Sequence, residues 1–176
     1  QVTGAGKTLI DLAFAIAGRS VGGPAKASVI ASAAMGSISG SAIANTVTTG
    51  SMTIPMMKEL GYSSEQAAGT EAAASTGGQI MPPIMGAGAF VMAEFTKTSY
   101  GEIVWISLAP AVLYFVSVLL YVHLAAVKGR LSVVEKPSAV MPILKNGLHF
   151  FIPISLITWL LLNNYSCLLY TSPSPR

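Results

Sequence analysis

The chain has 176 residues, of which 10% are charged and 52% hydrophobic, with a formal net charge of +3 and a mean hydropathy of +0.64. A soluble domain carries about 25% charged residues, so this composition cannot cover a water-facing surface and reads as an all-α integral membrane protein in a lipid bilayer. A single cysteine, Cys167, excludes a disulfide framework and a thiolate metal site, and the singly spaced basic residues form no nucleic-acid patch.

The first segment, QVTGAGKTLIDLAFAIAG, contains a partial phosphate-loop pattern. A phosphate loop needs a glycine five residues before Gly6 and a strand feeding it, yet that position is Gln1. GAGKT therefore reads as a helix start, with no ATP implied. Lys7–Ala17 makes only about 16 Å of helix, too short to span. Lys7 and Asp11 form an i,i+4 pair, while Leu9, Ile10, Phe14 and Ala17 lie largely away from it. Residues 1–22 thus form an amphipathic helix on the cytoplasmic surface and a linker, GRSVGGP.

Residues 25–57 carry no charge after Lys26 and are crowded with Ser, Thr and Gly. Two arms of about 15 residues, roughly 22 Å each, flank the polar tip Ser39-Gly40-Ser41. That pattern predicts a re-entrant hairpin, which enters and leaves on one side. Residues 66–94 follow, interrupted by STGGQIMPP. Gly77 and Gly78 weaken a helix there, and Pro82 and Pro83 each remove an amide donor and clash with the preceding turn. The result is one discontinuous helix with backbone exposed at mid-depth, so residues 23–100 read together as a hairpin followed by a broken helix. Residues 101–127 and 146–166 are each long and apolar enough to cross a bilayer, with kinks expected at Pro110 and Pro153, and residues 128–145 join them.

Charge tests this layout. If the hairpin returns to its own side, Arg19, Lys26, Lys58, Lys128, Arg130, Lys136 and Lys145 share one compartment, and only Lys97 lies opposite. Seven against one places the hairpin mouth and loop 128–145 in the cytoplasm. The chain starts without methionine and ends in CLLYTSPSPR, which changes character abruptly; it reads as a fragment with a non-native tail at 167–176.

A hairpin tip meeting an unwound helix is a recurring arrangement in secondary transporters, where half-helix N-termini face anions and freed carbonyls coordinate Na⁺. Ser39, Ser41, Asn45 and Thr46 supply oxygens on one partner, and Ser75, Thr76 and the Gly77-Gly78 backbone on the other. Gly78 is expected to present its backbone at short range, with positive φ open to it. The competing reading is close packing of small residues, with hydroxyls bonded back to their own helices.

GSISGSAIANTVTTGSMTIPMMKELGY and EAAASTGGQIMPPIMGAGAFVMAEF closely resemble the large membrane subunit of tripartite ATP-independent periplasmic (TRAP) transporters, and most of all the fused-permease type that works with TAXI-class binding proteins. The likeness runs from about Gly4 to Tyr165. It implies an ion-coupled elevator fold of two inverted repeats, of which this chain holds the first, in a prokaryotic inner membrane. It further implies uptake of a small organic anion delivered by a periplasmic binding protein, a small membrane subunit, separate or fused, and Na⁺ as coupling ion without another cofactor. By the same likeness Ser39, Asn45, Gly77 and Gly78 help bind Na⁺, although some relatives carry an acid where Asn45 stands.

Glu71 lies in an otherwise uncharged stretch less than two turns before the break. It reads either as a coupling acid or as an acid in the first turns of a helix beginning near Gln66, held by the helix dipole. The alternatives to a Na⁺-coupled carrier are a proton-coupled carrier, a channel or an intramembrane hydrolase. A hydrolase fits poorly: Ser39 is a conceivable nucleophile, but His123 and His149 fall near helix ends, and Asp11 is the sole aspartate. The charge asymmetry has a direct test. In the full-length protein, single cysteines at Ser64 and Ser132 should be shielded from an impermeant thiol reagent added outside intact cells, and one at Ser99 should react; labelling at Ser64 without Ser99 contradicts the layout.

Overall fold

The computed structural model of the protein describes residues 5–18, 20–129, 152–153 and 155–161, all of them in helices or the turns between them. Loop 128–145 beyond Gly129, most of span 146–166, the tail 167–176 and the side chain of Lys7 lie outside the described residues. Residues 152–153 and 155–161 are helical, as expected for the second span.

Helix α1, Ala5–Ala17, buries Ile10, Ala13 and Ala17 against Ala27 and Ala31 of the next helix, leaving Ile16 exposed. That helix, α2, Gly23–Ser39, begins with Pro24 in its first turn, where the missing amide costs nothing. Gly40 ends it in the left-handed conformation, and α3, Ala42–Glu59, follows at once, capped by the Ser41 hydroxyl. Helices α2 and α3 form a helical hairpin whose tip is only Gly40-Ser41, with Ser39 inside α2. Its arms have 17 and 18 residues, slightly longer than expected but still under the roughly 30 Å of a hydrocarbon core.

Helix α4, Ser64–Gly77, opens with a reciprocal capping box between Ser63 and Gln66. The chain is irregular from Gly78 to Gly86, and α5, Ala87–Thr96, resumes. Two helices with an irregular stretch between them thus stand where one interrupted helix is expected, and Ser75, Thr76 and Gly77 belong to the last turn of α4 rather than to the break. Ser99 and Glu102 form a second capping box at the start of α6, Tyr100–Lys128, which runs continuously through Pro110. Among the described residues α6 is the one helix long and apolar enough to cross a membrane. Trp105, Ile106, Leu113, Leu120, Tyr121 and Leu124 stand exposed on it, as lipid-facing or subunit-facing side chains would.

Helix α2 lies at the centre, touching α1, α3, α4 and α6. Ala25, Ala27, Ser28, Val29, Ala31 and Ser32 have no measurable exposure. Their small size explains the position: without a hydrophobic drive between helices in lipid, packing relies on close backbone approach. Gly36 of α2 meets Gly78 so closely that a Cβ on Gly36 would sit 2.4 Å from the Gly78 Cα, and one on Gly78 2.5 Å from the Gly36 Cα. At the tip, a Cβ on Gly40 would fall 2.0 Å from the Met85 carbonyl oxygen. Gly40→Ala should thus combine a left-handed strain of about 1–2 kcal/mol with a backbone clash. Thermal unfolding of the detergent-solubilised full-length protein should show a clearly lowered midpoint for this variant.

Candidate functional site

Two polar clusters lie where α2, α3 and α4 converge. The larger surrounds Glu71, which has no exposed surface. Its helix starts at Ser64 rather than near Gln66, so Glu71 stands two turns inside α4, beyond the first-turn dipole effect weighed for it. Serines and threonines at helical spacing on the two hairpin arms point at it instead. Ser28 and Thr53 each donate to Oε2 at 2.6 Å. Ser32 donates to Oε1 at 2.9 Å, Ser75 donates to it at 3.1 Å, and Thr49 also bonds to it. Five hydroxyls from three helices thus enclose one carboxyl group. Gly50 leaves room for it, since a Cβ there would lie 3.0 Å from the Glu71 Cγ. No cation pairs with Glu71: among the described residues the one ion pair joins Lys97 and Glu94 at the exposed end of α5.

The second cluster lies one turn toward the tip. Asn45 is 1% exposed, and its Nδ2 donates to the Ser32 carbonyl oxygen at 2.8 Å. That bond fixes the amide's orientation, because reversing it would set two acceptors face to face. Its Oδ1 is buried with no hydrogen-bond partner, and a Cβ on Gly36 would lie 3.1 Å from Nδ2. The Asn45 amide therefore sits beside the Gly36–Gly78 crossing, where the hairpin meets the break, and its oxygen is unpartnered. Buried acceptors without partners are rare enough to ask for a ligand or water.

The break itself is held from three directions. Beyond α4 the amides of Gly78, Gln79, Ile80 and Met81 bond to the carbonyls of Ser75, Thr76, Gly77 and Gly78 at 3.2–3.3 Å, a tight three-residue repeat. The Gly77 and Gly78 carbonyls each keep a second lone pair for a ligand. Ile84 N–H donates to the Ser37 carbonyl of the hairpin at 3.1 Å. Tyr100 Oη reaches the carbonyls of Pro83 at 3.0 Å and Ile84 at 2.7 Å, while its ring stacks on Phe90. Pro82 and Pro83 are half-buried in this turn.

The predicted residues separate accordingly. Gly78 has φ of −60°, so its requirement comes from the contact with Gly36 and not from positive φ. Ser75 is turned to Glu71, which removes its hydroxyl from the oxygens facing the break. Thr46 and Thr76 bond back to Ala42 and Ala72 of their own helices, the bland behaviour weighed for them. Ser41 caps α3, and the Ser39 hydroxyl accepts from Ser41 N at 3.4 Å. Ser28, Ser32, Thr49 and Thr53 were missed. Their signal was present as four hydroxyl residues at i,i+4 on two arms, with a lone acid further on.

Near the hairpin mouth, Tyr62 is buried with an unpartnered hydroxyl, and burial pushes that phenol above its ordinary range. His123 is exposed on α6, His149 lies outside the described residues, and no group of three metal-ligating His, Cys, Asp or Glu occurs among the described residues.

Residues 1–167 match the family model described as tripartite ATP-independent periplasmic transporter, DctM component. Over 126 residues the chain is 33% identical to the C4-dicarboxylate TRAP transporter large permease protein DctM of Vibrio cholerae, covering 70% of this chain and 27% of the relative. Over 80 residues it is 36% identical to a putative TRAP transporter large permease protein of Haemophilus influenzae, and 35% identical to the 2,3-diketo-L-gulonate TRAP transporter large permease protein YiaN of Escherichia coli. Each of these two matches covers 46% of this chain and 19% of the relative. The chain thus spans between a fifth and about a quarter of the length of these relatives.

The carboxyl cage carries its own stability prediction. Glu71→Leu would leave five buried hydroxyls without their shared acceptor, at about 1–3 kcal/mol for each that finds no other partner. Glu71→Gln keeps an oxygen and the shape. Gel filtration of the full-length permease should show folded protein for the glutamine variant and little for the leucine variant.

Proposed function

Since the chain belongs to the DctM family of TRAP transporter large membrane subunits, we propose that it forms the first hairpin and broken helix of a secondary-active permease, coupling Na⁺ to uptake of a small organic anion. The observation that carries this reading is the buried, unpartnered Oδ1 of Asn45 beside the Gly36–Gly78 crossing. Hard cations take oxygen ligands, and Asn45 Oδ1, the Gly77 and Gly78 carbonyls and the Ser39 hydroxyl supply oxygens at or near the junction of hairpin and break. Cation binding there would bridge the hairpin and the break and bias how the two sit together. The substrate class rests on the C4-dicarboxylate and 2,3-diketo-L-gulonate transporters to which the chain is similar; both cargoes are small organic acids.

The remaining assignments follow from the family. A periplasmic binding protein delivers the substrate, a small membrane subunit completes the complex, in the fused-permease arrangement that the sequence resembles, and the site is a prokaryotic inner membrane. The hairpin is re-entrant, as its short arms and the basic residues at its mouth favour, and it moves as part of an elevator domain. No residue here is assigned a catalytic role.

Radiolabelled Na⁺ binding to the full-length permease in lipid vesicles tests the site. Asn45→Leu and Ser39→Ala should each weaken binding about five- to a hundred-fold, the range for losing a bond worth about 1–3 kcal/mol. Gly78→Val should abolish binding while the protein still inserts. Unchanged Na⁺ binding in all three variants would leave close packing as the role of these residues.

A further inference from the structure

A carboxyl group deep among membrane helices is costly when ionised and unpaired. Glu71 has no cationic partner among the described residues, yet its surroundings are not those of a group locked in one state. Among the described residues, the charged and titratable groups on the neighbouring elements lie elsewhere. Lys26 of α2 donates to Ser20, Tyr114 of α6 donates to the Ala73 carbonyl, the unpartnered Tyr62 hydroxyl lies beside Gly22, Lys58 and Glu59 end α3, Glu65 opens α4, and His123 is exposed. Asp11 lies on α1, which does not contribute to the cage. What faces Glu71 is hydroxyl groups, and a hydroxyl both donates and accepts.

The cage can be written out proton by proton. With Glu71 ionised, Ser32, Thr49 and Ser75 donate to Oε1 while Ser28 and Thr53 donate to Oε2, and every hydroxyl proton is used. With Glu71 protonated, one hydroxyl must turn round and accept. Thr49 has a second acceptor for its proton, the Asn45 carbonyl at 2.8 Å, and Thr53 has the Thr49 carbonyl at 3.0 Å. Either threonine can therefore accept a hydrogen bond from the acid O–H and turn its own O–H to its helix backbone. Both protonation states are satisfied without moving a helix, and no buried polar atom of the cage is orphaned in either.

We infer that Glu71 is a proton-exchanging site, solvated by a reversible hydroxyl cage and linked through Ser32 and Asn45 to the crossing of hairpin and break. The link is a chain of contacts: Ser32 Oγ donates to Glu71, the Ser32 carbonyl accepts from Asn45 Nδ2, and Asn45 Oδ1 is the unpartnered oxygen. Thr49 adds a second route through the Asn45 carbonyl. On release the acid O–H breaks, the proton passes to water and the electron pair stays on the carboxylate. The proton site stands on the cage alone; its coupling to Na⁺ rests on the ion site proposed above. By reciprocity, a proton that disfavours Na⁺ is itself disfavoured by Na⁺ to the same degree.

Infrared difference spectra of the full-length permease in lipid vesicles, taken as the pH is varied, test the proton directly. A carboxylic-acid band should appear on acidification, vanish in Glu71→Gln, and shift its midpoint in Thr49→Val and Thr53→Val. A spectrum unchanged by all three substitutions would overturn the proposal, leaving Glu71 a fixed structural group. The coupling is read by adding NaCl to weakly buffered vesicles containing a pH dye. The wild type should release protons, and its apparent Na⁺ affinity should fall about 5- to 150-fold on acidification, the usual span of coupling between sites. Both effects should be lost in Glu71→Gln. A titrating band that Na⁺ leaves untouched, in a protein that binds Na⁺, would overturn the coupling. A protein that binds no Na⁺ would instead sink the ion site, with the band still deciding the proton.

Discussion

One buried carboxyl group organises the centre of this structure. Glu71 would be hard to tolerate in an apolar helix bundle unless its oxygens were bonded, and the partners that meet the need come from both arms of the hairpin and from its own helix. The hydroxyls fix the rotation of α2 and α3 toward α4. Once α2 is turned that way, its small residues lie at the centre and Gly36 faces Gly78. Asn45, one turn from Thr49 on the same face of α3, is then carried to the crossing. The polar knot and the close glycine contact are two results of the same orientation.

Small residues do different work at different places here. In α2 the alanines and serines permit four neighbours, and their lack of bulk is the point. At Gly36 and Gly78 even one methyl group is too much. At Gly40 the left-handed turn allows α2 to end and α3 to begin with two residues between them. A soluble protein would compensate such a glycine-rich arrangement with a larger hydrophobic core. In a bilayer, shape and hydrogen bonding between helices take over that role.

Much of this was legible in the sequence, and the reasons are physical. The hairpin and the broken helix announced themselves through Ser39-Gly40-Ser41 and through Gly77, Gly78, Pro82 and Pro83, because glycine and proline act on the backbone locally. Helix α6 was plain from its uninterrupted apolar run. The partners of Glu71 were not legible, since which serine bonds to which acid depends on the rotation of three helices. Ser75 shows the limit well: its place before the break suggested an oxygen for the site, but its position four residues after Glu71 gave it to the carboxyl group. Gly78 was singled out for its place at the break, while the close contact it makes is with Gly36, forty-two positions earlier, where no local rule points.

Two of the tyrosines of α6, Tyr100 and Tyr114, bear on how the break can behave. Tyr100 holds the carbonyls of Pro83 and Ile84, within the interruption, and stacks on Phe90 beyond it, while Tyr114 holds the carbonyl of Ala73, before it. Tyr114 and Phe115 also press against Gly77, leaving no space for a Cβ there. A single unbroken helix is thus fastened to both halves of a broken one, as a splint is bound across a fracture. Motion of the break relative to α6 would have to give up these hydrogen bonds and ring contacts, whereas motion that carries α6 along would keep them.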